Sequence, residues 1–158
     1  MTYDRPSPYS KKETINSIAK AIALAVSVVG CMVIVGWMLN IALLKSVLPG
    51  LVTMKANTAL GFILGGASLW CWLQRQEETK DSSKPFLLYS TIAAGIALLI
   101  GVLTLIQYRF PVDFGIDQLL FKENIDAVAT ATPGRMAPNS AFNFLLLAVA
   151  QLLLCLPR

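Results

Sequence analysis

Residues 49–64 read Pro-Gly-Leu-Val-Thr-Met-Lys-Ala-Asn-Thr-Ala-Leu-Gly-Phe-Ile-Leu, and residues 133–146 read Pro-Gly-Arg-Met-Ala-Pro-Asn-Ser-Ala-Phe-Asn-Phe-Leu-Leu. Met54, Asn57, Thr58, Ala59, Phe62 and Leu64 have counterparts in Met136, Asn139, Ser140, Ala141, Phe144 and Leu146, each 82 positions later. A two-residue deletion follows the second Pro-Gly. Both copies stand directly before a hydrophobic run. A repeat at this distance means two copies of one helix-loop-helix unit, and it isolates the polar region where function would sit.

Outward from the repeat, the composition is that of a membrane protein. Hydrophobic residues make up 56% of the 158 and charged residues 14%, with a mean hydropathy of +0.64. A soluble domain carries about 25% charged residues. Four apolar stretches cover roughly 15–41, 58–73, 86–108 and 140–156. Crossing hydrocarbon takes about 20 residues, so the second and fourth are near the lower limit and should stand steeply or thin the bilayer. The first is too long for a cleaved signal peptide, and no A-x-A-like site follows it. The expected fold is all-α and membrane-embedded, four transmembrane helices arranged as two parallel helix-loop-helix repeats. A polar tail (1–14) precedes the first repeat (15–73), and a charged loop (74–85) separates it from the second (86–158). Each repeat holds an even number of spans, so both motifs should lie on one side of the membrane.

Arg5, Lys11 and Lys12 precede the first span, Arg75, Lys80 and Lys84 lie between the second and third, and Arg158 closes the sequence. The other loops hold Lys45, Lys55, Arg109, Lys122 and Arg135. The positive-inside rule favours cytoplasmic termini by a modest margin. The net charge of +4 needs no nucleic-acid partner, because juxtamembrane lysines facing anionic lipid account for it. Lys20, near the start of the first span, is expected to snorkel to the interface, and Trp37 near its end fits an interfacial belt. The apolar first outer loop (40–56) reads as a short amphipathic segment on the membrane or capping the bundle. In the second outer loop (109–138), residues 116–121 would form one or two helical turns with the apolar side on the bundle, and 127–132 would be mobile or shaped by a partner.

Candidate ligand contacts cluster at the motifs: Met54, Asn57 and Thr58, then Met136, Asn139 and Ser140, with Asp117 between them. Two readings stand for Asn57-Thr58 and Asn139-Ser140. The simpler is capping of the helices they open, by accepting hydrogen bonds from first-turn N–H groups. The other is that two electropositive helix N-termini converge on a pocket for an anionic or polar ligand. Met54 and Met136 would make a soft Cu(I) site only with more ligands than two thioethers, and packing is the better account. Cys31, Cys71 and Cys155 fall within spans as buried free thiols. Gly61 and Gly65, with Ala93, Ala97 and Gly101, form small-residue faces for close helix approach, within the bundle or in a homodimer. Asn143 and Gln151 should face protein within the fourth span.

The absences exclude several functions. Without histidine there is no His-ligated haem and no phospho-accepting histidine. No Walker loop, nucleophile elbow or intramembrane carboxylate pair occurs, so neither an enzyme nor a proton-relay transporter is expected. No cofactor or metal is called for.

The strings at 47–62 (Val-Leu-Pro-Gly-Leu-Val-Thr-Met-Lys-Ala-Asn-Thr-Ala-Leu-Gly-Phe), 115–121 (Gly-Ile-Asp-Gln-Leu-Leu-Phe) and 133–142 (Pro-Gly-Arg-Met-Ala-Pro-Asn-Ser-Ala-Phe) resemble the N-terminal membrane-associated sensor modules of bacterial receptors. Such modules precede PAS, histidine-kinase or diguanylate-cyclase domains. The resemblance runs from about residue 15 onward. It implies a multi-span input region in the bacterial inner membrane, coupled to a cytoplasmic signalling domain in cis or in trans and working as a homodimer. It supplies no ligand. Those modules continue into a helix and a cytoplasmic domain, whereas this sequence stops at Leu156-Pro157-Arg158. The chain is then either the sensory part of a longer receptor or a free-standing module. A rival from another class is a small non-catalytic subunit or assembly factor docked on a larger membrane complex.

Overall fold

The computed structural model describes residues 8–46, 52–79, 81–123 and 132–156. Its helices are α1 (Pro8–Met38), α2 (Ala42–Lys45), α3 (Ala56–Arg75), α4 (Lys84–Arg109) and α5 (Pro138–Cys155). Among the described residues there is no strand, and every helix except the single turn α2 is long and apolar enough to cross a membrane. The chain is therefore a multi-pass, all-helical membrane protein. At a rise of about 1.5 Å per residue, α5 measures about 27 Å, just under the hydrocarbon thickness. The sequence-based expectation of a short fourth span follows from that length.

The helix bounds differ most at the start. The polar residues 8–14, read as part of a tail, belong to α1. Proline is tolerated in the first turn of a helix, and Lys11, Lys12 and Glu13 are good helix formers with no breaker before the apolar run. At the other end of α1 the chain reverses at Asn40, in the left-handed region at φ 53°. Ile41 N–H donates to the Gly36 carbonyl at 2.8 Å, and α2 folds back onto α1. Gly36 makes this possible, since a Cβ there would lie 2.6 Å from Leu44 Cβ. The apolar first loop thus caps the end of α1 in one helical turn. Residues 47–51, including the first Pro49-Gly50, lie outside the described residues.

Helices α1 and α3 form one hairpin, α4 and α5 the other, and α3 touches all three other spans. Small residues set these contacts. Gly30 faces the Ala59 carbonyl, Gly66 faces Ala23 and Ser27, and Gly101 faces the Ala141 carbonyl at 2.9 Å from where a Cβ would stand. Close approach of this kind replaces the hydrophobic driving force that lipid removes. Gly61 lies under the Phe144 ring and Gly65 against Leu147. These glycines, Ala97 and Gly101 are thus spent inside the bundle, whereas Gly95 has open space beside it.

Polar pairs tie the end of the bundle away from the motifs. Ser68 and Ser90, both fully buried, each reach the other's carbonyl at 2.9 Å. Trp72 Nε1–H donates to the Leu154 carbonyl at 3.0 Å, and Gln151 Nε2–H donates to the Gly65 carbonyl at 2.9 Å. Lys20 meets Gln74 at 2.7 Å and Glu77 at 2.5 Å, which ties α1 to the last residues of the first hairpin.

The repeat is visible in space. Phe62 and Phe144, equivalent in the two copies, meet edge to face with centroids 5.5 Å apart. Symmetry breaks elsewhere: α4 packs on α3, but among the described residues α1 makes no corresponding contact with α5.

Candidate functional site

At the motif end, each repeat builds the same clasp. Trp37, at the end of α1, donates its Nε1–H to the Met54 carbonyl at 2.9 Å. Tyr108, at the end of α4, donates its hydroxyl to the Met136 carbonyl at 3.0 Å. A cation lies over each ring: Lys45 over Trp37 at 4.8 Å, Arg135 over Tyr108 at 5.5 Å. In each repeat an aromatic donor at the end of one span thereby fixes the backbone that leads into the next.

The expected capping by the motif side chains is not what the structure builds. Helix α3 takes Lys55 as its N-cap and α5 takes Ala137, neither with a side-chain cap bond. Asn57 and Asn139 are therefore second residues inside their helices, past the capping position. Their side chains do different work. Asn139 is exposed and its Oδ1 accepts from the Ser140 N–H at 2.9 Å, satisfying a first-turn donor locally. Asn57 is buried and its Nδ2–H donates to the Ile116 carbonyl at 2.9 Å, across 59 residues.

That bond begins a strap, residues 115–123, that ties the two motifs together. The strap is one turn at 117–118, a bend at 119–120 and irregular chain to Glu123. The expected helix over 116–121 does not form, and Leu119 and Leu120 point outward, Leu119 76% exposed. Ion pairs on Asp117 and Glu123 hold the segment at both ends. Asp117 Oδ2 accepts from Arg135 Nε and from Gln107 Nε2, both at 2.7 Å. Glu123 Oε1 accepts from Lys55 at 2.5 Å and Thr53 at 3.1 Å, while Oε2 takes the Gly134 N–H at 2.7 Å. Both pairs are buried. Burial alone would raise the Glu123 pKa, but the Lys55 ammonium, the Gly134 N–H and the Thr53 hydroxyl outweigh it and hold the carboxyl below its ordinary range. Between the anchors Phe121 stacks on Trp37 with centroids 5.9 Å apart. Gly134, at φ 75°, lies so close under the strap that a Cβ would collide with the Asp117 carbonyl. Of the tract 127–132, only Thr132 is among the described residues.

A cleft of about 700 Å³ opens where α5 would pack on α1 if the two repeats matched. Met54, Thr58 and Ser140 line it, so the first residues of α3 and α5 do converge on one cavity. Its rim carries Lys45, Lys55 and Arg135, and Val29, Met32 and Phe62 form its deeper wall. The remaining sequence candidates lie elsewhere. Asn57 and Asp117 hold the strap, Asn139 serves its own helix, and Met136 is wholly buried against Ala141 and Phe144. Met54 and Met136 therefore do not share the cavity, and no group of three or more His, Cys, Asp or Glu suited to a metal ion occurs among the described residues. Sequence reasoning missed Lys45, Lys55, Arg135 and Glu123. The available signal was a cation inside or beside each motif and acids in the one long loop. The chain matches no family model, no curated protein and no solved structure.

Proposed function

We propose that the protein is the membrane-embedded sensory input module of a bacterial signal-transduction receptor, relaying an extracytoplasmic or intramembrane signal to a cytoplasmic output domain such as a histidine kinase or diguanylate cyclase. The observation that carries this is the strap. A single loop, held by Asn57, Lys55, Arg135 and Gln107, couples the start of α3 to the start of α5. A change at the strap would shift the two hairpins relative to each other, and α5 would carry the shift to its far end. A stimulus does this only if it favours one arrangement over the other. The chain has no catalytic constellation of its own in this reading, which places both termini in the cytoplasm and the module in a homodimer.

The test is signalling output in cells carrying Asn57→Ala or Asp117→Asn, each of which cuts one strap anchor. Altered basal output at unchanged membrane level supports the reading. Unchanged output from both, with the protein normally inserted, leaves the strap as structure alone.

One observation favours a docking subunit instead. Phe110, Phe114, Leu119 and Leu120 are exposed beyond the end of α4, outside the helices long enough to span a membrane. Intact mass from the native membrane discriminates: a mass well above 17.1 kDa supports a receptor, while a 17.1 kDa chain that co-purifies with a larger complex supports the subunit.

A further inference from the structure

We infer that the cleft between α1 and α5 is a binding site for one anionic phospholipid of the leaflet on the motif side. The inference goes beyond the sensory reading, because a lipid would fill this site whether or not the protein signals.

The rim has the chemistry of a phosphate site. Lys45 is held by Asn40 Oδ1 at 2.8 Å and lies over Trp37, and it makes no ion pair among the described residues. Arg135 binds Asp117 through Nε, and its two terminal nitrogens make no hydrogen bond among the described residues. A guanidinium presents such nitrogens to phosphate oxygens in a planar fork. Thr58 and Ser140, in the first turns of α3 and α5, face the same space; neither helix has a side-chain bond from its N-cap residue, and only the Ser140 N–H is taken, by Asn139 Oδ1. Glu123 and Asp117 balance Lys55 and Arg135, so Lys45 and the two helix ends leave the rim positive.

Below the rim the walls turn apolar. Val29 and Met32 of α1 and Phe62 of α3 extend the cleft along the spans, away from the Trp37 level. A soluble anion would use the rim and leave this wall empty. A phospholipid uses both, with its phosphate at Lys45 and Arg135 and an acyl chain along α1. The cavity volume lies within the ordinary range for small-molecule sites, roughly 300–1,000 Å³.

Native mass spectrometry of the full-length protein in detergent tests this, with phosphatidylglycerol and phosphatidylcholine added at equal concentration. One phosphatidylglycerol should be retained in preference to phosphatidylcholine. Lys45→Gln should weaken that retention about fivefold, the effect of one interfacial cation. Met32→Trp, which fills the apolar wall and leaves every cation in place, should weaken it too. Lys84→Gln, exposed at the opposite end, should not. Equal retention of both lipids, no loss in Lys45→Gln and Met32→Trp, or an equal loss in Lys84→Gln overturns the assignment. So does displacement of the lipid by inorganic phosphate at the same concentration, which would mark an anion site that ignores the acyl chain.

Discussion

Phe62 and Phe144 stand 82 positions apart in the chain and meet edge to face at 5.5 Å, each packing on its own repeat equivalent. Residues related by a two-fold axis meet themselves only on that axis, so the aromatic pair marks where the two hairpins turn about each other. Trp72 and Leu154, also 82 apart, make the same kind of self-contact toward the far end. Both self-contacts lie between α3 and α5, the pair that the two repeats share.

The aromatic pair should couple the hairpins energetically. Phe144 is the more buried ring, so Phe144→Ala should cost about 3 kcal/mol or more, and Phe62→Ala less. In a double-mutant cycle by reversible unfolding in detergent, the pair should show a coupling of about 0.5–1.5 kcal/mol. Strict additivity would mean that the rings touch without holding the repeats together.

Gly134 offers a sharper test of the strap. Its φ of 75° disfavours any L side chain, and a Cβ would meet the Asp117 backbone at once. Gly134→Ala should destabilise the motif end by at least about 1–3 kcal/mol. Gly115 also has a positive φ, 69°, but open space around it, so Gly115→Ala should cost less. Proteolysis of the two variants under native conditions ranks them, and equal susceptibility would refute a close seat for Gly134.

The two clasps predict a matched pair of effects. Trp37→Phe and Tyr108→Phe keep a ring and remove one donor each, so each should lower stability by about 1 kcal/mol. Denaturant midpoints would show this. A loss confined to one variant would mean that the clasp belongs to a single repeat.

How much of this was legible in the sequence follows from what kind of contact carries it. Hydropathy placed all four spans, because the bilayer imposes length and composition on each helix separately. The 82-residue offset placed the repeats, because the Met and Asn positions recur. Pairing across loops was not legible. Nothing near Asp117 or Glu123 announces that their cations are Arg135 and Lys55, up to 68 residues distant. The unequal fates of Asn57 and Asn139 were hidden for the same reason: identical motif residues meet different neighbours once the long loop crosses only one of them. The cleft is the third case, arising from a missing α1–α5 contact that no local pattern records.

Glu123 predicts how acid acts on the strap. Its folded pKa lies below the ordinary 4.5, so its ionised form stabilises the fold fully at pH values above 4.5. As pH falls below that value, the unfolded chain takes up a proton first and the contribution shrinks. It vanishes once pH passes below the folded pKa and Glu123 itself protonates. Phe121, two residues before Glu123, stacks on Trp37, so release of the strap should change Trp37 emission. Titration should therefore show a reversible fluorescence change with its midpoint below pH 4.5, missing in Trp37→Phe, where Trp70 and Trp72 remain as internal controls. In Glu123→Gln the change should already be present at neutral pH and the acid step lost. An acid step that persists in Glu123→Gln would assign the transition to another carboxylate and remove Glu123 as the anchor that acid releases.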